Sequence, residues 1–140
     1  MISNIQEHHS EEEMETIRLQ NEVRQWKLEL DFVAQEIEFY LDIFNSSLIK
    51  RTKVNRVDAE YLFDQFQDLR KVNHGILKTC QKFLPRLDEM NECDDIQCDH
   101  AFINAHIVLR KKIEKHLKEV RNIKYSAFCF LKDGIEKFLD

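Results

Sequence analysis

Between Leu19 and Phe44 the chain reads LQNEVRQWKLELDFVAQEIEFYLDIF. Its apolar residues return at alternating steps of four and three: Leu19, Val23, Trp26, Leu30, Val33, Ile37, Tyr40 and Phe44. That is a heptad seam, the pattern of a helix made to lie against another helix. The same arithmetic recurs further on, at Leu62, Phe66, Leu69, Asn73, Ile76, Cys80, Phe83, Leu87 and Met90. A third stripe runs through Phe102, His106, Leu109, Ile113, Leu117, Val120, Ile123, Phe128, Leu131, Ile135 and Phe138, with a spacing nearer 3.6 than 3.5.

Three helices follow, expected over 11–49, 56–90 and 95–139. The first carries a second apolar strip at Leu28, Phe32, Phe39 and Ile43, and a helix that is apolar on two sides needs more than one neighbour. Asn55 with Asp58 three residues on supplies an N-cap and a first-turn acid for the second helix. Pro85 is expected to bend that helix, because its ring removes a backbone donor and crowds the preceding turn. Asp94 with Gln97 resembles a capping box at the start of the third. The expected fold is all-α: an antiparallel up-down-up bundle of three long helices with coiled-coil-like packing over 11–140, after a mobile N-terminal tail at 1–10.

Composition agrees. Two Gly and one Pro in 140 residues are too few for a sheet with tight turns, and no apolar run reaches the roughly 18 residues that span a bilayer. The acidic, polar start of the chain lacks the pattern of a secretory signal, so a cytoplasmic location is expected. In that reducing setting Cys80 and Cys129 read as packing residues. A net charge of −5 argues against wholesale nucleic-acid binding.

The run from Glu22 to Phe32, then Gln35-Glu36-Ile37-Glu38-Phe39-Tyr40, resembles a group of short uncharacterised bacterial helical-bundle proteins. In those, a Trp, a Leu-x-Phe and a Glu-Ile-x-Phe recur at similar spacing in the first helix, and Asp64-Gln65-Phe66-Gln67 is similar in kind to their second. The resemblance implies a helical bundle and brings no catalytic residue with it.

Several polar residues are candidates for function. Antiparallel register puts Val23, Cys80 and His106 in one core layer, with Leu30, Asn73 and Ile113 about two turns along. A facing Cys80 and His106 has the residue types of a nucleophile with its base, against the plainer reading of a buried thiol and a satisfied histidine. Asn73 is expected to fix helix register and nothing more. Cys93, Cys98 and His100, with acids around them, are the candidate metal ligands, although C-x4-C-x-H is not a usual zinc spacing. Catalytic residues and cofactors are not assigned, and no cleft for chemistry is expected.

The remaining signals concern surfaces. Basic residues at Lys111, Lys115 and Lys118 give the third helix a face that suits nucleic acid or an anionic surface, or more simply water. Lys50, Arg51, Lys53 and Arg56 form a second basic group, opposed by acids near both the N-terminus and the second joint. Aromatic residues exceed what a thin bundle can enclose, which implies a partner. The simplest is a second copy, in a homodimer burying Phe32, Phe39, Phe63 and Phe130. The expected role is therefore non-enzymatic protein–protein contact. The alternatives are a regulatory module that binds nucleic acid or an anionic surface, and a metal-responsive switch at the second joint.

Overall fold

The computed structural model describes the backbone of residues 2–46, 49 and 55–139 and the side chains of 11, 13–46, 49 and 55–136. Its long elements are α1 (Ile2–Phe44), α2 (Arg56–Arg86) and α3 (Ile96–Leu139), with a 3₁₀ segment at Leu87–Glu92 between the last two. The fold class is all-α, with three helices packed together and no strand among the described residues.

The ends of these helices follow from local chemistry. α1 already runs from Ile2, so the backbone of 2–10, expected as a tail, is helical. It stops at Phe44 rather than 49, where Ser46 turns its hydroxyl and its N–H back onto the Ile43 carbonyl. Asn55 caps α2 as expected, its Oδ1 accepting from the Val57 N–H at 2.9 Å. Pro85 does not bend a continuing α-helix. The α-helix ends at Arg86, one residue after the proline, and the chain tightens into the 3₁₀ segment. Asp95, not Asp94, caps α3, its carboxylate taking the Cys98 N–H at 2.8 Å.

The chain divides into two units, Met1–Glu29 with Ile76–Ile113, and Leu30–Gly75 with Glu114–Asp140. In the first, Thr16 Oγ1 donates to Asn91 Oδ1 and Gln20 Nε2 to Asp88 Oδ1, so α1 runs against the returning segment. Glu22 receives both Nε and Nη2 of Arg110 from α3, at 2.8 and 3.0 Å. Leu19, Val23, Trp26, Ile76, Cys80, Phe83, Leu87, Leu109 and Ile113 are buried between these walls.

In the second unit Leu30 meets Asn73 and Tyr40 stacks on Phe66, partners that recede along α2 as α1 advances. Glu36 meets Lys124 and Phe44 meets Phe130, partners that advance together along α3. α2 is therefore antiparallel to α1, and α3 parallel to it: up, down, up. Val33, Ile37, Leu41, Leu62, Phe66, Leu69, Val120 and Ala127 form the core. Enclosing the side chain of Phe66 alone contributes about 1.5–3 kcal/mol.

The seams predicted for α1 and α2 are the buried ones, except that Leu41 takes the place of half-buried Tyr40. The seam of α3 is so in part: His106, Leu109, Ile113 and Val120 are buried as expected. His116 is buried beside them, and beyond Val120 the buried positions are Ala127 and Gly134, each seven residues on, while Phe128 and Ile135 face outward. The drift toward 3.6 came from following large apolar residues onto the neighbouring face.

Candidate interaction surface

Polar residues inside the second unit form a chain across all three helices. Asn73 Nδ2 on α2 donates to the Leu30 carbonyl of α1 at 2.9 Å. Its Oδ1 therefore turns to α3, where it accepts from Nε2 of His116, also at 2.9 Å. His116 is buried, and its Nδ1 has no hydrogen-bond partner among the described residues. Burial pushes its pKa below the ordinary histidine value, opposed by the Glu119 carboxylate, so the imidazole is neutral and carries its proton on Nε2.

His106, in the first unit, is enclosed by Trp26 at 4.8 Å and Phe83 at 6.3 Å between ring centres. It hydrogen-bonds to the Leu19 backbone, and its Nε2 stays 3.9 Å from the Glu22 carboxylate, too far for a bond. Desolvation lowers its pKa, and the Glu22 charge only partly offsets that. Cys80 is fully buried and burial raises its thiol pKa, so it stays protonated and packs as an apolar group. Val23, Cys80 and His106 thus lie in one unit and are all buried, whereas Ile113 falls in a different unit from Leu30 and Asn73. The partner of Asn73, His116, is not on the expected stripe, which passes through its apolar neighbour Leu117 instead.

At the second joint Cys93 and Cys98 are joined as a disulfide, with Cα atoms 5.5 Å apart. Sulfur in that bond is not a thiolate, so in this form the two cysteines do not supply metal ligands. His100 is exposed, and no three His, Cys, Asp or Glu groups converge as a metal would need among the described residues. Cys80 and Cys129 are free thiols. Lys50, Arg51 and Lys53 lie outside the described residues.

The second unit does hold a cleft, of about 410 Å³, against the expectation of none. Phe44, Ile49, Ala59 and Phe63 give it an apolar floor, with Arg56, Glu60 and Asp64 along its edge. Residues 47, 48 and 50–54, which are not described, connect its two walls in sequence.

The larger feature is an exposed apolar face. Phe32 and Phe39 were expected to need cover from a third helix, yet they are 61% and 60% exposed. Phe63 and Phe130 are half-buried instead, with Phe130 against Phe44 at 5.7 Å. At about 100° per residue, Phe32, Glu36, Phe39 and Ile43 fall on one strip of α1. Lys124, Phe128, Leu131 and Ile135 fall on a strip of α3 with the same spacing. The Glu36–Lys124 ion pair at 2.6 Å joins the two strips at that level, on either side of the groove between the parallel α1 and α3. Phe128 and Ile135 on the α3 strip are 58% and 49% exposed, and Ile43 on the α1 strip is half-buried. Lys111, Lys115 and Lys118 are exposed on α3. No family model, curated protein or solved structure matches this chain.

Proposed function

We propose that this chain acts by contact rather than by catalysis, receiving a helix of a protein partner on the α1–α3 face of its second unit. One observation carries this: the parallel strips Phe32–Phe39–Ile43 and Phe128–Leu131–Ile135, aligned by Glu36 and Lys124 and left half open to water. Two parallel helices with facing apolar edges form a groove whose remaining side suits a further helix. Four large apolar side chains exposed in one place are costly to leave in water, and a partner helix removes that cost. Cys80, His106 and His116 are buried in the interior, which supports this reading. The cytoplasm is the proposed setting, where glutathione would keep Cys93 and Cys98 as a dithiol.

The test is a photo-reactive benzoylphenylalanine placed at Phe39, with a control at Lys71 on the exposed side of α2. Cross-linking to a polypeptide in living cells at position 39 and not at 71 is the expected outcome. Equal labelling at both sites, or none at 39, would reject the contact role for this face.

A further inference from the structure

We infer that the occupant of this face is a second copy of the same chain, bound parallel about a two-fold axis so that α1 of each copy lies on α3 of the other. The proposal rests on the contact role above and names the partner.

The argument is charge. Between Leu30 and Phe44, α1 carries Asp31, Glu36, Glu38 and Asp42 and no basic residue. From Lys115 to Lys132, α3 carries Lys115, Lys118, Arg121, Lys124 and Lys132, against Glu119 alone. Glu36 and Lys124 neutralise each other across the groove, and Glu38 is paired with Arg70 of α2. Asp31 and Asp42 are exposed along the outer margin of the Phe32–Phe39 strip. Arg121 and Lys132 are exposed along the outer margin of the Phe128–Ile135 strip. Crossing the face, the order is acidic rim, apolar strip, groove, apolar strip, basic rim.

Such a surface is complementary to itself in one orientation. A two-fold axis along the helices lays the acidic rim of each copy on the basic rim of the other, and the apolar strips meet between them. A two-fold axis across the helices would instead set acids on acids and bases on bases. The levels also agree. Asp31 precedes Glu36 by five residues and Arg121 precedes Lys124 by three, while Asp42 and Lys132 follow by six and eight, so each rim charge falls within about 3 Å of level with its counterpart. A rotation about the helix direction preserves level, so Asp31 and Asp42 come opposite basic residues of the partner. The apolar strips supply the affinity and the rims select the orientation.

Charge exchange tests it, by sedimentation equilibrium on the full chain. The parent should be a concentration-dependent dimer, and F32S/F39S should weaken it by at least about tenfold. D31K/D42K alone and R121E/K132E alone should each be monomeric at concentrations where the parent dimerises. Mixed in equal amounts they should form a heterodimer, because both α1–α3 contacts then join opposite charges. All four positions are exposed, and unchanged thermal melts of the separate variants confirm that each is folded.

A parent that stays monomeric at its highest soluble concentration overturns the second copy as occupant. The contact role survives that result if position 39 still cross-links to a different polypeptide. Variants that dimerise as the parent does, or a mixture that fails to associate, overturn the α1-on-α3 arrangement.

Discussion

Nε2 of His116 donates to Oδ1 of Asn73 across 2.9 Å, and the partner on the far side of the asparagine decides that direction. Because the Asn73 amide nitrogen is turned to the Leu30 carbonyl, it is the oxygen that faces His116 on α3. Three helices are thus joined by two hydrogen bonds through a single side chain. Substituting Asn73 by Leu leaves both ring nitrogens of a buried imidazole unsatisfied, and should cost about 1–3 kcal/mol in urea unfolding. The double variant N73L/H116L removes both ends of the bond and should recover most of that loss. A double variant as unstable as the single one would show that the bond matters less than the shapes around it.

Acid should destabilise the fold through its two buried histidines. Both have pKa values lowered by desolvation below the unfolded value of 6.5. Above that pH both states are neutral and stability is at its maximum. As pH falls through it, the unfolded chain takes up protons that the folded chain refuses, so stability declines until the lower folded pKa is passed. Around His106 the charges are Glu22, Arg110 and Arg18, and beside His116 it is Glu119; none outweighs burial. Melting temperatures should therefore fall between pH 7 and pH 5, and fall less in H116L. An unchanged slope in that variant would move the effect to other groups.

Gly75 is in the middle of α2, exposed, and a Cβ built there meets no atom within 4 Å. Nothing in the packing calls for glycine, so Gly75→Ala should stabilise the protein by about 0.5–1 kcal/mol through backbone entropy. A loss of stability on chemical denaturation would reveal a close approach to the helix at that point.

α1 and α2 were legible because their seams between Leu19 and Met90 are filled mainly by large apolar side chains, with the depth of Asn73 signalled by its heptad position. α3 was harder to read since its seam holds His116, Ala127 and Gly134, residues that do not announce burial, next to Phe128 and Ile135, which do. In this part of α3 the buried positions Ala127 and Gly134 are small, and the large Phe128 and Ile135 stand next to them on the adjoining strip. That placement is what creates the exposed face, so the error in the seam and the missed half of the surface have one cause. Phe32 and Phe39 were recognised as surplus to a thin bundle, but the groove needed Glu36 and Lys124 to be seen together. Their pairing spans two distant segments and has no local signature.

The bond between Cys93 and Cys98 ties a turn to itself rather than one helix to another. The ring it closes is so short that breaking it releases only about 2 kcal/mol of chain entropy on the loop-closure estimate. The seams are indifferent to that event, because none of their contacts depends on the sulfur link. A molecule built this way keeps its architecture on either side of an oxidising boundary, and the two cysteines would register which side it is on.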